Sequence, residues 1–151
     1  MKEAEKFGAN LLRGVMQTAR WTGATMSGMD LEGVDLSGMD FTGAVMRKTN
    51  LIGAKLNACV MISANLDKAD LTGAELLEAD LSDASLVRAH LTNADLYCAQ
   101  FVRADLSFAR LTGTNLDGTR FADANLDGAE FDIDATPDTD TPAEVAPGAQ
   151  S

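Results

Sequence analysis

The sequence predicts an all-β solenoid, a rod in which the chain turns a corner every five residues. A large apolar residue stands at every fifth position from Leu11 to Phe131, 25 times without a miss. Two residues before each large residue lies a second column, which is alanine at 17 of the 25 positions. A period of five fits neither an α-helix, which repeats every 3.6 residues, nor a flat strand, which repeats every two. A chain with regular corners satisfies both columns.

The residue types in the five-residue unit suit such a corner. We expect the large residue and the small one to point inward and the other three to face solvent. Asp or Asn fills the position between the two columns at 12 of 25 places, and these side chains hydrogen-bond local backbone in turns. Glycine is frequent two residues after the large residue, where it permits turn dihedrals and disfavours a helix interior.

Several stretches resemble the A-(D/N)-L-x-x unit of the pentapeptide-repeat family. They include Ala-Asn-Leu at 64–66, Ala-Asp-Leu-Thr-Gly at 69–73 and Ala-Asn-Leu-Asp-Gly at 124–128. The resemblance covers residues 9–133. It implies a right-handed, quadrilateral parallel β-helix with four units, or 20 residues, in each coil, so that 25 units form about six coils. With neighbouring strands about 4.8 Å apart, the rod is about 30 Å long.

The ends of a solenoid expose backbone edges and need caps. Residues 1–8 favour a helix and are expected to cap the first coil. Residues 134–151 contain three prolines, four acids and no base, which predicts a disordered tail. The last coil has no obvious cap. Either the first residues of the tail cover it, or a second chain pairs with it to form a homodimer.

Composition excludes several classes of function. The net charge of −11 argues against direct binding to nucleic acid or to an anionic membrane. The chain opens with no signal peptide, has no transmembrane stretch and holds only two cysteines, so a cytoplasmic protein is expected. Catalysis needs groups that converge in a cleft. His90 and Cys98 are expected to face outward and Cys59 inward, which predicts no enzyme, no metal site and no cofactor.

The solvent-facing positions carry uneven charge. One side of the predicted rod, the acidic face, has a single base, Lys55, and five acids: Asp35, Glu75, Glu78, Asp95 and Asp117. Elsewhere the basic strip consists of Arg47, Lys48, Lys68 and Arg88. Its last three members are spaced by 20 and stack in successive coils, where like charges are unfavourable. We hypothesise that the basic strip docks an acidic ligand or partner surface.

Two functions follow from these surfaces. The first is a non-enzymatic protein-interaction scaffold with an unknown protein partner. The alternative is an acidic DNA mimic, because the family includes quinolone-resistance proteins that resemble B-DNA and occupy the DNA site of gyrase. B-DNA would carry about 18 charges over about 30 Å. Residues 9–133 hold 17 acids and 10 bases, less than half that charge density, so the sequence favours the scaffold.

Overall fold

The repeat region folds into a β-helix whose four sides are built from successive five-residue units. A computed structural model describes residues 20–135 and 137–139, and its fold is the right-handed quadrilateral β-helix predicted from the sequence. Between residues 20 and 135 there is no helix and no strand longer than a single residue. Parallel β-bridges occur instead at every fifth residue from Thr25 to Glu130, and each joins residues 20 apart. One coil therefore takes 20 residues.

Backbone hydrogen bonds hold neighbouring coils in register. On one side, the Leu31 N–H donates to the Asn50 carbonyl at 2.8 Å, and the Asn50 N–H donates to the Met29 carbonyl at 2.9 Å. At the corner that follows, the Gly33 N–H donates to the Ile52 carbonyl at 2.8 Å. The same pattern repeats around the rod. Residues 20 apart therefore stack in columns, about 4.8 Å from one coil to the next.

Each corner is a two-residue turn with a left-handed residue at its second central position. At the first described corner, the Ala24 N–H donates to the Trp21 carbonyl at 3.0 Å. Gly23, the residue before Ala24, has a φ of 70°. A positive φ confined to this place indicates a type II turn, which favours glycine. Ten glycines occupy such positions, but twelve other residues do so too, with φ between 55° and 58°. The corner therefore accepts many side chains.

Asp and Asn at the bridge positions stabilise these corners. All eleven of them between residues 20 and 135 accept a hydrogen bond from the N–H two residues on. Where the bridge residue is of another type, the preceding coil can supply the acceptor. Asn57 Oδ1 accepts from the Leu77 N–H at 3.0 Å, and Asp67 Oδ1 accepts from the Val87 N–H at 3.1 Å. The predicted turn chemistry is confirmed.

The interior is filled by the two predicted columns. Large residues from Met26 to Leu111 are buried without exception, as are most of the small ones. Polar residues in the small column find main-chain partners: Thr49 Oγ1 donates to the Met26 carbonyl at 3.0 Å, and Thr119 Oγ1 donates to the Leu96 carbonyl at 2.8 Å. Phe101 and Phe121 stack with ring centroids 5.3 Å apart. The aromatic side of the core is therefore as predicted.

The two ends are described unequally. The helical cap expected at residues 1–8 lies outside the described residues, as do residues 9–19, 136 and 140–151 of the predicted repeat and tail. At the C-terminal end, the Phe121 N–H donates to the Asp138 carbonyl at 3.3 Å, and the Gly113 N–H donates to Asp132 Oδ2 at 2.8 Å. Ile133 is fully exposed. A disordered tail and a homodimer through the last coil remain predictions.

Candidate interaction surfaces

The acidic face consists of a central column and a corner. Asp35, Glu75 and Asp95 lie in one column of bridges, with Lys55 between the first two. Asp35 and Asp95 accept hydrogen bonds from the N–H two residues on, at 3.1 Å and 3.2 Å. A Glu75 carboxylate oxygen accepts from Asn57 Nδ2 at 3.0 Å. The carboxylates of this column thus stabilise turns or side-chain contacts as well as carrying charge.

The other two acids of this face flank an exposed aromatic residue. Glu78 and Asp117 lie at the corner that carries Tyr97, whose side chain is 44% exposed. A hydrogen bond with the Cys98 thiol raises the pKa of Tyr97, and the charges of Asp117 and Glu78 act in the same direction. The sequence analysis did not place Tyr97 on this face as a contact residue. Its spacing of 20 from Leu77 and Asp117 was the available signal.

The basic strip follows one corner of the rod through three coils. Lys48, Lys68 and Arg88 are the left-handed residues of their turns, each with a φ of 58°, and all three are exposed. Their N–H groups donate to carbonyls of the next coil at 2.9 to 3.0 Å, so the column is fixed by backbone bonds. Among residues 20–135 and 137–139, none of the three forms an ion pair. Arg47 Nε lies 4.0 Å from Asp67 Oδ2.

Phe108 extends this corner beyond Arg88, and the sequence analysis missed it. The guanidinium carbon of Arg88 lies 5.7 Å from the centroid of the Phe108 ring. The ring is 56% exposed. It covers Gly128, where an added Cβ would come within 2.6 Å of the Phe108 Cδ1 atom. One further step of 20 from Arg88 would have found the residue.

Stacked charges elsewhere on the rod are paired. Arg103 donates to both carboxylate oxygens of Asp83, one coil earlier, at 2.8 Å each. This hydrogen bonding holds the pKa of Asp83 below its usual value. Arg110 Nε donates to a Glu130 carboxylate oxygen at 3.0 Å. The basic strip differs from these corners because its successive residues have the same sign.

The reactive side chains do not converge. His90 lies outward in a bridge column, and Cys98 is half-buried beside Tyr97. Cys59 is buried in the small column, where its thiol contacts the Leu36 carbonyl at 3.0 Å and burial raises its pKa to about 11. In the described part of the chain, no three His, Cys, Asp or Glu side chains could hold a metal ion. Residues 20–139, apart from 136, include no helix long and apolar enough to cross a membrane.

Comparison with known proteins agrees with this geometry. A sequence profile described as pentapeptide repeats matches residues 15–47, 40–77, 74–107 and 104–132, with eight copies. The chain belongs to the pentapeptide-repeat family. Comparison with curated protein sequences gives no significant match.

Solved structures of pentapeptide-repeat proteins resemble this one. The pentapeptide-repeat protein Rfr23 of the cyanobacterium Cyanothece 51142 is 24% identical and superposes with a TM-score of 0.63, over 91% of this chain and all of that one. A pentapeptide-repeat protein of the Arabidopsis thaliana thylakoid lumen is 34% identical, with a TM-score of 0.54 over 74% of this chain and 71% of that one. These likenesses support the fold and the family.

Proposed function

We propose that this pentapeptide-repeat protein is a non-enzymatic scaffold that binds a protein partner through its outward columns. The observation that supports the proposal most directly is the division between the two kinds of column. The inward columns are uniform and satisfied, as with the Thr49 hydroxyl that bonds to the Met26 carbonyl. The outward columns sit on a rigid backbone register, yet they vary in charge from one side of the rod to the next.

A scaffold needs rigid, distinct surfaces rather than a cleft. Regular repeat rods present such surfaces because each coil holds its neighbours in fixed register. Here the acidic face and the basic strip lie on different sides of the same rod, so two partner surfaces of opposite charge can be engaged at once. The absence of any convergence between His90, Cys59 and Cys98 fits a binding role better than a catalytic one.

Inhibition of a DNA-binding enzyme by DNA mimicry is the less well supported alternative. Seven Asp residues at bridge positions accept turn N–H groups. Asp67 and Asp132 also accept backbone N–H groups. Local structure thus accounts for nine of the 17 acids in residues 9–133. A supercoiling assay with purified DNA gyrase tests this alternative, and unchanged supercoiling in excess protein would exclude it for gyrase.

Affinity capture with isosteric surface variants tests the scaffold proposal. The bait pairs the wild type with Glu75→Gln, Glu78→Gln, Asp95→Asn and Asp117→Asn combined, which keeps side-chain shape and the Asp95 acceptor while removing the charge of this face. A second bait replaces the three stacked cations of the basic strip with Ser. We expect at least one protein to bind the wild type and be lost from one variant. Equal capture by all three baits, with circular dichroism unchanged, would contradict the proposal.

A further inference from the structure

We infer that the basic strip, together with Phe108, is a docking site for an acidic extended peptide segment of a partner protein. The inference rests on the scaffold function proposed above and names one of its surfaces. The strip offers three cations in a line, followed by an exposed aromatic ring. Each step along that line is one coil, or about 4.8 Å.

Nothing in the fold demands a cation at these three positions. The same corner position holds Ala58, Ser63 and Asp83 elsewhere, with φ between 55° and 58°. Lys and Arg are also poor choices for a left-handed backbone, which favours glycine. Three successive cations therefore add like-charge repulsion to backbone strain, and the local turn chemistry explains neither.

The cations are also not neutralised by their surroundings. Asp67 is the nearest acid along this corner, but its Oδ1 atom accepts hydrogen bonds from Ser85 Oγ and from the Val87 N–H. Its other oxygen lies 4.0 Å from Arg47. Asp70, two residues after Lys68, accepts both the N–H and the hydroxyl of Thr72 through Oδ1. In the part of the rod that the structure describes, the charges of Lys48, Lys68 and Arg88 thus remain available to a ligand.

Phe108 defines the end of the site and adds an apolar contact. The Arg88 guanidinium lies 5.7 Å from the ring centroid, within the range of a cation–π contact. This contact orients Arg88 along the corner, while Gly128 leaves room for the ring on the far side. A ligand that fits the whole line has carboxylates for the cations and an apolar side chain for the ring.

An extended peptide meets these requirements better than a nucleic acid does. Alternate side chains of an extended strand lie about 6.6–6.8 Å apart on one side, a spacing that long Lys and Arg side chains can match from columns about 4.8 Å apart. The protein as a whole is strongly acidic, with a net charge of −11. A polyanion with continuous phosphates would meet repulsion on both sides of the strip, whereas a short acidic segment would not.

Fluorescence anisotropy with labelled oligoglutamate tests the site on the full chain. Lys48→Ser, Lys68→Ser and Arg88→Ser combined should weaken binding at low salt by at least about tenfold, because each exposed charge pair contributes roughly 0.2–1 kcal/mol. The matched control combines Lys55→Ser, Arg103→Ser and Arg110→Ser, which lowers the net charge equally at other corners. It should bind like the wild type. Oligoglutamine should not bind either protein.

The outcomes separate the inference from the scaffold proposal. Equal weakening in both triple variants would mean that binding follows net charge, and no wild-type binding would mean that there is no such site. Single-stranded oligonucleotide bound as tightly as oligoglutamate, and lost in the same variant, would overturn the assignment of an acidic peptide. Partners captured by the wild type and equally by the strip variant would overturn the inference while leaving the scaffold intact. Circular dichroism establishes that each variant is folded.

Discussion

The ring of Phe108 occupies the space that a side chain on Gly128 would need. The two residues are 20 apart and stack in neighbouring coils, and a Cβ on Gly128 would lie 2.6 Å from the Phe108 Cδ1 atom. Gly43 has nearly the same backbone, with a φ of 67° against 68°, but a Cβ there would meet nothing within 4 Å. The pair therefore separates the cost of the backbone from the cost of the contact.

Gly128→Ala should destabilise the protein more than Gly43→Ala does. Both substitutions place a Cβ on a left-handed residue, which costs roughly 1–2 kcal/mol. Only Gly128→Ala must also displace the Phe108 ring, so its free energy of unfolding in urea should fall further. In a Phe108→Ser background the extra loss should disappear. If it persists there, its origin is the position of Gly128 near the last coil and not the ring.

A carboxylate on the inward column should be far more damaging than one on the adjacent corner. Leu91 is fully buried, so Leu91→Asp places an unpaired charge in the core and should cost about 3–5 kcal/mol or prevent folding. Thr92→Asp lies one residue on, at the half-buried corner, and should change stability by less than about 0.5 kcal/mol. Urea denaturation followed by circular dichroism measures both. Similar losses would mean that the inward and outward assignment is wrong.

The bridge-position Asp residues should be replaceable by Asn but not by Ala. Asp80 Oδ1 accepts the Ser82 N–H at 3.0 Å. Asp80→Asn keeps this acceptor and should leave the free energy of unfolding nearly unchanged. Asp80→Ala removes it and should cost about 1 kcal/mol. If Asp80→Asn were as destabilising as Asp80→Ala, the charge and not the acceptor would be what the turn requires.

Cys59 should make the protein less stable in alkali. Burial raises its pKa from 9.0 to about 11, whereas an unfolded thiol titrates near its ordinary value. The folded state thus holds a proton that the unfolded state loses, and stability falls as pH rises from 9 through 11, by roughly 2–3 kcal/mol in total. Cys59→Ala, the commonest residue in this column, should remove that part of the slope. Thermal unfolding of both proteins across this pH range measures it, with Cys98→Ala as the control.

The five-residue period was enough to predict the coil and the direction of most side chains. It placed Leu71 in the core and Lys48, Lys68 and Arg88 in one column, and both predictions are confirmed. It could not predict which atoms meet between coils, because the period fixes Cα positions and leaves rotamers open. Asn57 therefore emerged only from the structure as the acceptor for Leu77, and so did the contact of Arg88 with Phe108.

The 20-residue closure of each coil gives the surface a reading frame. Removing one whole coil shortens the rod by about 4.8 Å and leaves every remaining column in line. Removing a single five-residue unit keeps the core pattern intact but rotates all later residues onto the neighbouring side. A five-residue deletion between Lys48 and Lys68 would thus divide the basic strip between two corners while the protein still folded. Length changes in this chain alter its surface according to their remainder after division by twenty.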